Sequence, residues 1–303
     1  MSAELSKSEA NAHGVRRLLC DEIDAAIRLL RGSRITDSEI HSARRTLKKA
    51  RATLRLLRPA VAARVFKREN AALRDVARPL GAARDAKVLL DSLDRLAKRY
   101  GGPAMHSIPP TFRRQLTDEQ AKSGGAVKRR YSERAAPIRS LRTSHERIVT
   151  ARVQADGWKQ IGEGIARVYR TGRKAMKQAR KTPTPECLHE WRKQVKYLWH
   201  QLQLVEPMSP GPIGALADQM KKLSDYLGED HDLAVLRAKV TAHAGKFPAP
   251  AGPGALLALI DRCQDRLRAR AFFAGRRVYD DAPAVFTRRF ERYWRRWNEP
   301  PAR

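Results

Sequence analysis

The segment 41-HSARRTLKKARATLRLLRP-59 decides the reading of this chain. It holds seven Lys or Arg residues, one His and no carboxylate. Ile40, Ala43, Leu47, Ala50, Leu54, Leu57 and Val61 recur through it at steps of three and four. That spacing is the apolar stripe of an amphipathic helix, and Pro59 marks its end. A solvated tail has no such stripe, so the charge belongs to an ordered element. His41, Arg44, Lys48, Arg51, Arg55 and Arg58 form a row beside the stripe, with Arg45 and Lys49 further round. From His41 to Arg55 the row runs about 21 Å, at roughly 1.5 Å per residue.

The pattern returns 148 residues later in 188-LHEWRKQVKYLWHQLQLVEP-207. Leu188, Trp191, Val195, Leu198, Leu202 and Val205 repeat the stripe, and His189, Arg192, Lys196 and Pro207 repeat His41, Arg44, Lys48 and Pro59. A second pair, 80-LGAARDAKVLL-90 and 227-LGEDHDLAVLR-237, matches at an offset of 147 through Leu, Gly, Asp and Val. Two segments agreeing in register predict an internal duplication, with repeat 1 at about 10–156 and repeat 2 at about 157–298. Residues 1–9 and 299–303 are expected to be flexible tails.

Both repeats read as helical throughout. The spacing predicts helices over 14–31, 37–58, 61–79, 84–99, one or two within 112–156, then 158–180, 185–205, 213–227, 230–243, 253–279 and 283–297. No stretch alternates with period two, and 101–110, 206–214 and 247–254 are Gly/Pro-rich loops. The expected fold is all-α, two pseudo-twofold-related helical bundles with a basic groove or pore where they meet.

Composition sets the partner classes. The 303 residues carry 62 Lys+Arg against 32 Asp+Glu, a net charge of +30 and a pI near 10.9. Such a surplus concentrates polyanions at the surface. Nucleic acid, an anionic membrane and a phosphate chain are the candidates. Cys20, Cys187 and Cys263 form no CxxC pair, which fits a reducing compartment. No apolar run approaches the roughly 20 residues of a membrane span, and MSAELSKSEANAHG lacks the apolar core of a secretory signal. A soluble cytoplasmic protein with no membrane partner is expected.

More cations lie outside the two matched helices. The segment 166-ARVYRTGRKAMKQARK-181 holds seven basic residues and no acid, with Arg170, Arg173, Lys174 and Lys177 on one face. The segment 288-RRFERYWRRW-297 adds Arg288 and Arg289, followed by three further arginines.

The spacing H-x-x-R-x-x-x-K-x-x-R at His41, Arg44, Lys48 and Arg51 resembles the signature helix of the CHAD family, the conserved histidine α-helical domain. His189, Arg192, Lys193, Lys196 and Tyr197 resemble its second copy. The "LG…D…V" segments at 80–88 and 227–235 resemble the following helices, so the resemblance covers about 10–298 as one domain. It implies two four-helix bundles and a basic central channel that binds inorganic polyphosphate, without a cofactor, at polyphosphate granules. Phosphate or sulfate would enter the same site. The residues it assigns are His41, Arg44, Arg45, Lys48, Arg51 and Arg55 from the first signature helix. His189, Arg192, Lys193 and Lys196 come from the second; Arg170, Arg173, Lys174, Lys177, Arg288 and Arg289, chosen by their own charge and spacing, are expected to extend the lining. Trp199 and His200 stand where the family pattern has Arg and Tyr, so that end of the second stripe is expected to contribute little charge, and no phosphate contact is expected at Trp199.

Three rival readings compete on the same residues. A metal at His41 or His189 is disfavoured by the cations one turn away, Arg44 and Arg45 or Arg192 and Lys193. An enzyme would need a motif that is missing: there is no E-x-E-x-K strand in 1–40, no P-loop, and 189-HEWRK-193 lacks the second His of a zinc motif. Asp85 and Asp232, each after a Leu-Gly turn, are expected to be helix caps rather than a catalytic pair, and His231 a capping or packing residue. RNA is the strongest rival partner, opposed by the absence of RNA-binding signatures and an aromatic content of only 6%.

Overall fold

A computed structural model describes residues 4–9, 11–32, 35–101, 105, 108–132, 135–154, 157–247 and 252–299, with backbone alone at 82–86, 130 and 132. The described elements are all helical, with no strand among them. Among the described residues, five longer helices come from the first half: α1 (Ala12–Leu30), α2 (Asp37–Leu57), α3 (Ala63–Tyr100), α4 (Pro110–Ser132) and α5 (Ala136–Thr150). Five follow: α6 (Trp158–Lys181), α7 (Pro185–Val205), α8 (Pro210–Ala242), α9 (Gly254–Val278) and α10 (Pro283–Asn298).

Local chemistry sets the ends of α2 and α7 in the same way. The Thr36 hydroxyl accepts from the Glu39 amide at 3.2 Å, and the Glu39 carboxylate accepts from the Thr36 amide at 2.7 Å, closing a capping box. At α7 the Thr184 hydroxyl accepts from the Cys187 amide at 3.3 Å, with Pro185 in the first turn where no amide is needed. Each helix runs into a single 3-10 turn containing a proline, Arg58–Ala60 and Glu206–Met208. Both predicted apolar stripes are buried, except Val61, which is half-buried beyond the end of α2.

Two expectations fail on the long helices. The local sequence signals break the chain at Pro79-Leu80-Gly81 and at Leu227-Gly228, yet α3 and α8 run unbroken through both. An interior proline costs about 3 kcal/mol. Beyond Pro79, however, α3 buries Val88, Leu89, Leu93 and Leu96, worth about 1.5–3 kcal/mol each. Burial wins. Asp85 and Asp232 are therefore interior helical positions rather than helix starts; the Asp85 side chain lies outside the described residues.

Two apolar cores result. The larger joins α1, α2, α5, α6, α7 and α10 with the first parts of α3 and α8 and the last parts of α4 and α9. The smaller joins the last parts of α3 and α8 with α4 and α9, through residues such as Leu93, Phe112, Leu233 and Leu256. α2 packs against α7, and α3 against α8. Residues 4–9, expected to be a loose tail, are docked instead: Leu5 is buried and its amide donates to the Leu204 carbonyl at 3.0 Å, while Lys7 Nζ donates to the Glu299 carbonyl at 2.8 Å. The tail residues 1–3 and 300–303 lie outside the described residues.

Candidate functional site

The contact between α2 and α7 brings their polar edges together. Gln201 Nε2 on α7 donates to the Ala52 carbonyl on α2 at 3.1 Å. The Arg55 guanidinium lies 3.9 Å from the centre of the Tyr197 ring. Burial lowers the Arg55 pKa to about 10, and Arg51 and Arg58 act in the same direction, while Tyr197 opposes them. Arg55 Nη1 donates to Asn70 Oδ1 at 3.1 Å and to the Arg51 carbonyl at 2.7 Å, and Arg51 Nε donates to Asn70 Oδ1 at 3.2 Å. One asparagine on α3 thus holds the lower end of the predicted row.

The upper end faces histidines. His189 is half-buried, and its pKa falls through burial first and then through the charges of Arg192, Lys193 and Lys48. Its Nδ1 has no hydrogen-bond partner, and its ring lies 4.6 Å from that of His231 on α8. His200 is buried among Lys49, Lys196 and Lys48; desolvation is the main cause that pushes its pKa down to about 3. Neither ring is favoured as a cation, so in place of imidazolium charge these positions offer neutral donors and acceptors.

Arg44 and Arg192 each lie over a glycine of the following long helix. A Cβ on Gly81 would stand 3.9 Å from Arg44 Nε, and one on Gly228 would stand 3.7 Å from Arg192 Nε. The missing side chains leave room for the guanidinium planes. Arg192 is only 8% exposed, which for an arginine signals a position held by its surroundings.

The other predicted residues have more local settings. His41 is exposed and borders a cavity of about 850 Å³ between α2, α3 and α4, where Lys128 also pairs with Asp37 at 2.9 Å. Arg45 is exposed. Burial pushes the Glu190 carboxyl up, but hydrogen bonds from Lys193 and Gln194 outweigh that and hold it low, so Lys193 spends charge on its own helix. Arg170 pairs with Glu163 at 3.0 Å, Arg173 Nε donates to the Tyr279 carbonyl at 3.1 Å, and Arg289 pairs with Asp281 at 2.9 Å. Lys174, Lys177 and Arg288 are exposed on α6 and α10. No described contact ties these six to the α2–α7 edge. Lys49, beside His200, is missing from the predicted set because its helical angle places it too far round; its position next to Lys48 was the available signal.

Among the described residues, no group of three or more His, Cys, Asp or Glu side chains could hold a metal ion. No helix there is long and apolar enough to cross a membrane.

The chain is thus an all-helical protein in which lysines from two packed helices act on the same histidines, half-buried His189 and buried His200. A CHAD domain model matches residues 17–241, and the chain belongs to the CHAD family. Its fold is similar to that of PptA from Streptomyces chartreusis, with a TM-score of 0.64 and 15% identity over 89% of this chain and 99% of that one. It is also similar to the CHAD domain from the plant Ricinus communis, with a TM-score of 0.53 and 16% identity over 93% and 94% of the two chains. Comparison with curated protein sequences gives no match.

Proposed function

We propose that this protein binds inorganic polyphosphate, without catalysis, along the cationic edge shared by α2 and α7, and that this holds it at polyphosphate granules in the cytoplasm. Some members of the CHAD family bind polyphosphate. The observation that carries the reading here is the matched pair of arginine platforms, Arg44 over Gly81 and Arg192 over Gly228. The two arginines occupy equivalent sequence positions on helices that pack against each other. Threonine caps at Thr36 and Thr184 and matching 3-10 exits support an internal duplication, and with it two related bundles facing one basic groove.

Polyphosphate offers closely spaced charges and oxygen acceptors but no bases. Arg44 and Arg192 can present planar forks to its oxygens, and Lys48 and Lys196 point charges. The Tyr197 ring at this edge suits such a ligand, since it is buried under Arg55 and offers no stacking face. Titration with long-chain polyphosphate and with single-stranded RNA of matched charge, at two salt concentrations, tests the reading. Tighter binding of polyphosphate, strongly weakened by charge reversal at Lys48 and Lys196, is expected; affinity unaffected by that reversal would refute it.

A further inference from the structure

A second cationic surface runs along the α8–α9 hairpin. α8 turns Gln219, Lys222, Tyr226, Glu229 and Leu233 to one face at steps of three and four, and α9 answers with Cys263, Arg266, Arg270, Phe273 and Arg277. Two cavities, of about 600 and 490 Å³, open along this face, and Arg270 lines both. The end of α3 closes one side with Arg95, Lys98, Arg99 and Tyr100. Arg95 is engaged, with Ser92 at 2.9 Å and Asp232 at 3.8 Å. Lys98, Lys222, Arg266, Arg270 and Arg277 have no ion-pair partner among the described residues, and Glu229 is the one carboxylate lining either cavity there.

Phe273 sets this groove apart. It is 57% exposed, the most exposed of the large apolar side chains described, and the guanidiniums of Arg276 and Arg277 lie 6.0 and 5.9 Å from its ring centre. A phosphate chain has nothing to place on that ring. A nucleobase does: stacking on an aromatic face with cations alongside for the backbone is how single strands are held without sequence readout. An acidic peptide would satisfy the charges but leaves a flat, open ring without an enclosed pocket for an aliphatic anchor.

We propose that this groove binds single-stranded nucleic acid, with a base on Phe273 and the phosphates held by Lys222, Arg266, Arg270 and Arg277. From Gln219 to Leu233 the groove runs about 21 Å, room for about six nucleotides at the 3.4 Å spacing of a stacked strand. The proposal is independent of the α2–α7 edge and stands or falls by itself.

The test is fluorescence anisotropy with a labelled 12-nucleotide oligouridylate over a series of salt concentrations, the variants being compared at matched salt. Phe273→Ala weakens binding about 10-fold, within the range for loss of one stacked base, and Phe273→Trp restores it. Long-chain polyphosphate affinity stays unchanged in both. Arg266→Gln with Arg270→Gln lowers the slope of log affinity against log salt by about 1.4, at roughly 0.7 per single-strand phosphate contact. Full RNA affinity in Phe273→Ala overturns the proposal. So does an equal loss of RNA binding in the Lys48→Glu/Lys196→Glu protein, which would place RNA at the other site. A 12-residue polyglutamate that binds as tightly, and loses as much on Phe273→Ala, would reassign the groove to protein partners.

Discussion

Arg192 lies over Gly228 so closely that a methyl group there would stand 3.7 Å from its Nε, an ordinary van der Waals distance. The glycine is therefore not needed to avoid a clash with a β-carbon. It leaves a guanidinium-wide clearance in the middle of α8, where glycine costs roughly 0.5–1 kcal/mol relative to alanine. Gly228→Ala is expected to raise stability by about that much and leave polyphosphate binding unchanged, whereas Gly228→Leu displaces Arg192 and weakens binding several-fold. Urea melts and titration of both variants separate the two effects.

Lys48 and Lys196 act on the same buried His200 from opposite helices. Reversing both, Lys48→Glu with Lys196→Glu, is expected to weaken long-chain polyphosphate binding roughly 100-fold at low salt and to flatten its salt dependence, because each phosphate-contacting lysine contributes about one counterion to the slope. Both side chains are partly exposed, so the circular dichroism melt should change little.

The two signature helices were legible because two signals agreed in each, an apolar stripe at steps of three and four and a proline just past the end; the caps at Thr36 and Thr184 are found only in the structure. The long helices were not, because Pro79 and the Leu-Gly pairs are local breakers. What overrides them is burial of Leu89, Leu93 and Leu96 against Phe112 and Leu233, residues distant in sequence. The cationic row on α2 was legible from its spacing, but the engagement of its lower end was not. Only the fold brings Asn70 and Tyr197 to Arg51 and Arg55. The α8–α9 groove was missed because Arg266, Arg270 and Phe273 match no motif and gain meaning only beside Lys222 and Tyr226.

Gly164 on α6 fixes how close α6 can come to α2. A Cβ there would stand 2.3 Å from the Leu56 carbonyl oxygen and 3.0 Å from its Cα, and the obstacle is backbone. Gly164→Ala is expected to destabilise the protein by about 1–3 kcal/mol or more, the range for overpacking a close contact, despite alanine's better helix propensity. The opposite signs expected for alanine at Gly164 and at Gly228 make the pair a test of the packing geometry, read from urea midpoints measured side by side.

Glu22 on α1 is 7% exposed, and burial pushes its pKa from 4.5 up to about 8, against the hydrogen bond from Thr53 and the charge of Lys49 on α2; Asp21 on its own helix adds to the rise. Its Oε2 has no hydrogen-bond partner. Between about pH 4.5 and 8 the folded protein keeps a proton that the unfolded chain has released. This contribution to stability is therefore complete below pH 4.5 and is lost as pH rises through 8. The slope is on the order of 1 kcal/mol per pH unit. Glu22→Gln keeps the shape, removes the titration and is expected to flatten the pH profile above about 5, leaving the variant more stable than the parent at about pH 8. Urea unfolding at about pH 5, 6.5 and 8 measures this directly. Parallel profiles for the two proteins would mean that Glu22 is ionised in the fold, with Lys49 as its counter-charge.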